Sequence, residues 1–366
     1  MTIPVYRPDL TGNELLYAED ALRSGWISSI GQYIERFEQA LASETECAHA
    51  IALANGTVAL HLALHCMDIG PGDEVIVPTF TYIASVNTIA QTGAVPVFAE
   101  SRASDWLMDP ADIERRITPR TKAVMPVHLF GAICDPDINV IARRHGLRVI
   151  EDAAEALGSR RNGRHVGSDA DITSFSFFGN KTVTTGEGGA VITRDPVLAE
   201  RLRKVKGQGQ SLTRRYWHDE MGFNYRMTNI CAAIGTAQME RLPEILARKQ
   251  AIADIYRSEL SGNRFVFQEL APGVQSSNWL VSLLLPPGVD RDQTIARLLS
   301  SGIDSRPVFY CAHQMPVYRS DEHFPIAEDI AARGISLPSF PTLEDSQIRM
   351  ISANLRSIVE EMMVTD

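Results

Sequence analysis

The sequence predicts an α/β protein with a large domain built on a mostly parallel sheet, followed by a smaller α+β domain. Three observations support this. Short apolar runs alternate with helical segments from residue 50 to residue 193, which is the pattern of a parallel sheet covered on both faces. The alternation stops after residue 195. A chain of 366 residues is also too long to form a single small core, so two domains are expected. We place the large domain at 1–242 and the small domain at 243–366.

Each element follows from hydrophobic spacing and from the residues at its ends. In residues 12–24, apolar side chains recur at helical spacing and the segment stops at Ser24-Gly25, as a helix would. The predicted strands are 50–54, 74–78, 95–99, 121–127, 147–152, 172–177, 189–193, 265–267 and 279–285. The predicted helices are 12–24, 32–44, 57–67, 81–92, 111–116, 136–145, 196–206, 228–240, 243–260, 291–300 and 346–362. Connections between parallel strands should be right-handed crossovers.

Composition excludes several classes of protein. A net charge of -10 and a pI near 5.4 argue against a nucleic-acid surface, which needs a concentrated basic patch. The amino terminus lacks a signal-peptide pattern, and the apolar runs are shorter than the ~20 residues that span a bilayer, so we expect a cytoplasmic protein. The five cysteines are scattered singly and are expected to be reduced core thiols. His61 and His65 share a helical face without a third ligand, so no metal site is expected.

One lysine is the first candidate for chemistry. Lys181 follows the apolar run Ser174–Phe178 and precedes the glycine-rich turn Gly186–Gly189. Burial and nearby cationic groups lower the pKa of a lysine, and the neutral amine can then form a Schiff base with an aldehyde or ketone. A solvated loop lysine is the alternative. A phosphate-binding P-loop is excluded, because Asn180 stands where that motif requires glycine.

Other candidates follow other strands of the sheet, at the edge where open α/β sheets bind ligands. Asn55-Gly56-Thr57 opens a helix whose backbone amides can hold a phosphate, although a simple N-cap would have the same sequence. Asp152 ends a buried strand, where its carboxylate can meet a positively charged ring nitrogen or cap a helix. Tyr82 follows another strand, where its ring can stack on a flat ligand or fill the core.

Two irregular segments lie outside this pattern. Residues 207–229 contain the aromatic and basic run Arg214-Arg-Tyr-Trp-His218, which is costly to leave exposed. We therefore expect this segment to pack against another subunit or over the site. The apolar loop Trp26–Gly31 is either a pocket wall or a turn packed on its own tryptophan.

A phosphate turn, a stacking aromatic ring, a carboxylate for a pyridine nitrogen and a Schiff-base lysine are together the requirements of pyridoxal 5'-phosphate chemistry. Here the sequence strongly resembles the sugar aminotransferases of the DegT/DnrJ/EryC1/StrS family, which have the fold type I architecture of aspartate aminotransferase. The resemblance covers nearly the whole chain. It rests on the motifs Trp26-Ile-Ser, Gly56-Thr-Val-Ala-Leu, Gly72-Asp-Glu-Val-Ile, Glu151-Asp-Ala-Ala, Ser176-Phe-Phe-Gly-Asn-Lys181, Gly186-Glu-Gly-Gly and Asn224-Tyr-Arg-Met.

The resemblance implies a role for each residue around the cofactor ring. Lys181 would hold the cofactor's aldehyde and later move the proton between cofactor and substrate carbons. Asp152 would pair with the ring nitrogen, and Tyr82 would stack on the ring. Glu155 occupies a place where many relatives carry glutamine beside the ring hydroxyl, and it would act there either in its protonated form or at longer range.

The resemblance also implies how the cofactor phosphate is held. Gly56, Thr57 and Ser176 would bind it from one subunit, and Asn224 would reach it from the partner subunit. A homodimer with two shared sites follows from this arrangement.

Two further motifs, Tyr216-Trp-His and Arg306-Pro-Val-Phe-Tyr310-Cys-Ala-His313, resemble family members that act on GDP-linked sugars. The resemblance implies transfer of an amino group from L-glutamate to the 4-keto carbon of GDP-4-keto-6-deoxy-mannose, with Tyr310 and His313 on the sugar side. Relatives that use UDP- or dTDP-linked keto sugars, or a keto octulosonate, share the cofactor residues and stay open as alternatives. A sugar dehydratase of this family usually has histidine at the position of Lys181, so the lysine disfavours that activity. A ligand-sensing regulator is disfavoured because the sequence shows no helix-turn-helix segment.

Overall fold

The computed structural model describes residues 2–262 and 264–364. The strands are β1 (His49–Leu53), β2 (Glu74–Pro78), β3 (Val95–Ala99), β4 (Thr121–Val124), β5 (Arg148–Asp152), β6 (Arg160–Arg161), β7 (Arg164–His165), β8 (Ile172–Ser176), β9 (Gly189–Thr193), β10 (Val266–Phe267), β11 (Val274–Gln275), β12 (Val281–Leu284), β13 (Arg306–Pro307) and β14 (Gly334–Leu337). The helices are α1 (Glu14–Ser24), α2 (Gln32–Thr45), α3 (Gly56–Cys66), α4 (Ile83–Gln91), α5 (Pro110–Arg116), α6 (Asp137–Arg144), α7 (Pro196–Val205), α8 (Asn229–Glu240), α9 (Leu242–Leu260), α10 (Arg291–Ser300), α11 (Pro325–Arg333) and α12 (Asp345–Val364).

The large sheet has seven strands in the order β1-β9-β8-β5-β4-β2-β3. Its pairs are parallel except at β9, which runs antiparallel to both β1 and β8. The reason is local: β8 returns to β9 through residues 177–188 without a crossover helix, and a direct return can only give an antiparallel neighbour. The prediction of an α/β protein with a mostly parallel sheet is therefore confirmed, with β9 as the exception.

The direction of β9 determines where the candidate residues meet. Because β9 is antiparallel to both of its neighbours, β1 runs in the same direction as β8. The carboxyl ends of β1, β2, β5 and β8 consequently lie along one edge of the sheet. The hairpin between β8 and β9, which carries Lys181, lies at this edge.

The C-terminal part contains a four-stranded antiparallel sheet in the order β10-β12-β14-β13. Buried side chains of this sheet form one core with those of α9, α10 and α12. Strands β13 and β14 and helix α11 lie between residues 304 and 345, where the sequence predicted no element. At the other end of the chain, Ile3 pairs with Ile303, so the first residues reach across to the C-terminal part. The boundary at residue 242 stays a prediction.

The core lies on both faces of the large sheet, where the helices cover it. Trp106, Phe80 and Phe175 are among its largest fully buried side chains, and each such burial contributes roughly 1.5–3 kcal/mol. The five cysteines are unpaired, and four of them are buried. Among the described residues, every helix is too short or too polar to cross a membrane.

Candidate active site

A cavity of about 640 Å³ opens at the carboxyl edge of the large sheet, facing the C-terminal sheet. Its walls come from the loops after β1, β2, β5 and β8, from residues just before β12, and from residues of β13 and β14. Seven of the residues singled out in the sequence line this one cavity: Gly56, Thr57, Tyr82, Asp152, Glu155, Ser176 and Lys181. Residues more than 100 positions apart in the chain therefore meet at one place.

Lys181 lies in a tight turn, where its N–H donates to the Phe178 carbonyl at 2.9 Å. The Tyr6 hydroxyl donates to the Lys181 carbonyl from the other side. The lysine side chain is 13% exposed, and its Nζ lies 3.6 Å from Oε1 of Glu155. Burial lowers the pKa of Lys181, and the neighbouring carboxylates oppose that change. The environment is the one that makes a lysine amine nucleophilic.

Glu155 is a buried carboxyl group next to this amine. Its side chain is 4% exposed, and Oε2 accepts the N–H of Phe130 at 2.8 Å. Burial raises the pKa of Glu155 to about 7, against the effects of Lys181 and of the Phe130 N–H. Phe130 holds this N–H in place with a left-handed backbone (φ 57°), a conformation that non-glycine residues rarely adopt. Glu155 is therefore poised to exchange a proton near neutral pH.

Asp152 ends β5 with its side chain 5% exposed. Its Oδ2 accepts the hydroxyl of Ser85 at 2.7 Å, and its Oδ1 accepts the N–H of Ala154 at 3.0 Å. Both donors are neutral, so they orient the carboxylate without cancelling its charge. Ser85 lies within α4, where no sequence signal distinguishes it from other helical serines. The arrangement presents an anionic group to a cation in the cavity.

The start of α3 forms a second wall. Oδ1 of Asn55 accepts the N–H of Val58 at 3.0 Å, so Asn55 is an N-cap, and the amides of Gly56 and Thr57 remain at the helix start beside the cavity. A Cβ on Gly56 would lie 2.8 Å from Cβ of Ser176. The absence of a side chain at Gly56 thus lets the helix start approach Ser176 and form an anion-binding cradle.

Aromatic side chains form the remaining walls. Tyr82 precedes α4 and is 58% exposed, and its ring centroid lies 5.8 Å from that of Phe309. Trp279, Phe309 and Arg306 face it from the C-terminal part. Sequence reasoning missed these three residues. Trp279 began a predicted strand and Arg306 began a quoted motif, but neither pattern indicated which side chain would face the cavity.

Three predicted site residues are not brought to this cavity. Asn224 is exposed and pairs with Gly207 outside it. Tyr310 is half-exposed, and its hydroxyl accepts from Arg291 at 3.2 Å. His313 is buried, with Nδ1 hydrogen-bonded to the Thr79 hydroxyl at 2.6 Å and Nε2 3.2 Å from Glu328. His313 therefore connects Thr79, which follows β2, with Glu328 of α11.

Comparisons with known proteins agree with this geometry. The model of the DegT/DnrJ/EryC1/StrS aminotransferase family matches residues 8–356. The chain is 49% identical to GDP-perosamine synthase of Escherichia coli O157:H7, over 98% of this chain and 99% of that protein, and 48% identical to GDP-perosamine synthase of Vibrio cholerae, over 95% and 97%. The solved PLP form of the putative sugar aminotransferase Spr1654 from Streptococcus pneumoniae superimposes with a TM-score of 0.94 at 31% identity, covering 99% of this chain and all of that one. The chain therefore belongs to the DegT/DnrJ/EryC1/StrS aminotransferase family.

Proposed function

We propose that this protein is a pyridoxal 5'-phosphate-dependent aminotransferase that moves the amino group of L-glutamate to the 4-keto carbon of GDP-4-keto-6-deoxy-mannose, giving GDP-perosamine. The observation that carries the proposal is the convergence of the Lys181 amine, the Asp152 carboxylate and the start of α3 on one cavity. Aminotransferase activity and the cofactor follow from the family.

The residues of the cavity fit this cofactor. The Lys181 amine lines the cavity and can react with the cofactor's aldehyde. The buried Asp152 carboxylate, whose hydrogen-bond donors are neutral, can pair with a protonated ring nitrogen. The cradle of Gly56, Thr57 and Ser176 supplies amides and a hydroxyl for the phosphate, and a side chain at Gly56 would fill it. When bound, the cofactor supplies an electron sink that accepts and then releases the amino group.

The protein's own residues then have distinct tasks. Lys181 would hold the cofactor through its amine, and the free amine would accept and return a proton. Asp152 would favour a protonated ring nitrogen through its negative charge, and the Ser85 hydroxyl fixes the orientation of this carboxylate. Tyr82 would supply an aromatic face for a flat ring. Glu155, next to Lys181, would accept or donate a proton at this part of the cavity.

The acceptor is assigned from the relatives. Two relatives that are close to half identical over nearly their whole length are GDP-perosamine synthases. A more distant relative, 39% identical over 89% of this chain, is a UDP-N-acetyl-3-dehydro-alpha-D-glucosamine 3-aminotransferase, so other nucleotide sugars belong in the test. Tyr310 and His313 remain candidates for the sugar side only if the substrate extends beyond the cavity described above.

Two assays test the activity. First, L-glutamate alone should convert the bound cofactor to its amine form, seen as loss of its visible absorbance. An unchanged spectrum with glutamate would contradict the donor assignment. Second, the aminated enzyme should aminate GDP-4-keto-6-deoxy-mannose faster than the UDP- and dTDP-linked 4-keto-6-deoxy sugars, measured by mass spectrometry of the products. Preference for another nucleotide would overturn the acceptor assignment.

We also propose a homodimer in which Asn224 completes the phosphate site of the partner subunit. The support is the surface around Asn224: Trp26, Ile30 and Tyr216 are more than half exposed on neighbouring loops, a feature of interaction surfaces. Arg226 donates to the Ser29 hydroxyl at 3.1 Å, which joins the Asn224 segment to the loop Trp26–Gly31.

Mixed dimers test this arrangement. Lys181→Ala and Asn224→Ala proteins should each have low activity. If a site takes its lysine from one subunit and its asparagine from the other, dimers reassembled from an equal mixture should regain about a quarter of wild-type activity. The control is wild type mixed with the double variant Lys181→Ala/Asn224→Ala. If sites are shared, each site of such a mixed dimer lacks either the lysine or the asparagine. No recovery in the first mixture would contradict shared sites.

A further inference from the structure

Trp279 forms a wall of the cavity directly against the reactive lysine. The centre of its ring lies 3.9 Å from Nζ of Lys181, and its side chain is buried. The indole N–H donates to the Asn180 carbonyl at 2.7 Å. Behind it, the ring of Phe130 stacks nearly parallel, with centroids 6.3 Å apart and planes at 12°. These contacts fix the indole with its face toward the amine.

The charged groups around Lys181 come from several elements. Glu155 and Asp152 follow or end β5, Glu187 lies in the turn before β9, and Arg306 begins β13 on the same cavity. Of these, Glu155 and Asp152 favour the ammonium form of Lys181, whereas burial disfavours it. An indole face also attracts a cation, most strongly where water is excluded. Unlike Glu155, the indole does so without titrating.

We propose that Trp279 is a positioning residue for amino transfer: its indole face holds the free Lys181 amine in place and stabilises the ammonium that forms when this amine accepts a proton. The inference rests on the proposed function, because it concerns the part of the cycle in which the lysine is free. In that part the neutral amine takes one proton from the substrate's α-carbon and becomes an ammonium, while the electron pair of the C–H bond stays on that carbon. The ammonium later gives the proton back and becomes neutral again. An ammonium held by Trp279 favours the first transfer and stays beside the reacting carbons for the second.

The experiment uses the small number of lysines in this chain. These are Lys122, Lys181, Lys204, Lys206 and Lys249, so protein labelled with carbon-13 at the lysine Cε gives five signals. The signal missing from Lys181→Arg identifies the reactive lysine. The holoenzyme is converted to its amine form with L-glutamate, and the Cε shift is followed against pH in wild type, Trp279→Phe and Trp279→Leu.

The proposal predicts a graded change. The titration midpoint of Lys181 should fall by roughly one pH unit in Trp279→Leu, and by less in Trp279→Phe, which keeps an aromatic face. The other four lysines should titrate as in wild type, which distinguishes a local effect from a general disturbance of the fold. The pH profile of sugar amination should move with the Lys181 midpoint.

The outcomes separate this inference from the proposed function. If glutamate converts the cofactor but the Lys181 midpoint is the same in all three proteins, the role of Trp279 is wrong and the aminotransferase assignment stands. Should Trp279→Leu fail to fold, an unchanged midpoint in Trp279→Phe would overturn the inference equally. If glutamate leaves the cofactor unconverted, the proposed function fails and this inference fails with it.

Discussion

Replacing Glu155 with glutamine should remove a pH-dependent loss of stability. Burial raises the pKa of Glu155 from 4.5 to about 7, and at 1.36 kcal/mol per unit this corresponds to about 3 kcal/mol. A carboxyl group with a raised folded-state pKa contributes its full stability below pH 4.5. That contribution is lost as the pH rises through 7, because the ionised form is disfavoured only in the folded protein. Glu155→Gln should therefore match wild type near pH 4.5 and exceed it by up to ~3 kcal/mol at pH 8.

Chemical denaturation of the cofactor-free proteins at several pH values measures this difference. Glu187→Gln is the matched control, because Glu187 lines the same cavity but is exposed. Its stability relative to wild type should vary little with pH. A Glu155→Gln difference that stays constant from pH 4.5 to 8 would refute the argument that burial controls the protonation of this carboxyl group.

Three further predictions concern other groups. Asp152→Asn should slow the half-reaction with glutamate by about 100-fold or more, as a charge stabiliser is lost; a stopped-flow rate equal to wild type would contradict its role. Gly56→Ala places a Cβ 2.8 Å from Cβ of Ser176, and strain of about 1–3 kcal/mol should weaken cofactor binding roughly 5- to 150-fold in a titration. The control Gly70→Ala, whose added Cβ has its nearest atom at 3.6 Å, should bind the cofactor normally. Burial lowers the pKa of Lys249 from 10.5 to about 7. The unfolding free energy of wild type should therefore fall as the pH falls from 10 to 7, and that of Lys249→Met should fall less. The same pH dependence of unfolding free energy in both proteins would argue against this.

The sequence predicted the large sheet well because its strands are continuous apolar runs bounded by helices. The first and last residues of β2, β3 and β9 are the same as those predicted. The antiparallel direction of β9 was not predicted, because hydrophobic pattern does not record strand direction. Strands β13 and β14 were missed because Pro307 lies in the first and Gly334 begins the second, and both residue types are uncommon in strands.

The meeting of the candidate cofactor residues at one cavity was predictable for a different reason. Lys181, Asp152 and Gly56 follow strands whose carboxyl ends must meet, so topology alone brings them together. Trp279 and Ser85 reach Lys181 and Asp152 through tertiary contacts that no local pattern contains. The sugar-side role of His313 stays a prediction, and the motif gave no sign that its imidazole is buried against Thr79 and Glu328.

The most direct test of the central claim is to locate the lysine that carries the cofactor. Reducing the holoenzyme with borohydride fixes the lysine–cofactor bond, and peptide mass mapping then finds the modified residue. Lys181 alone should be modified. Modification of Lys206 or Lys249, two other lysines whose pKa is lowered by burial, or of no lysine at all, would contradict the assignment.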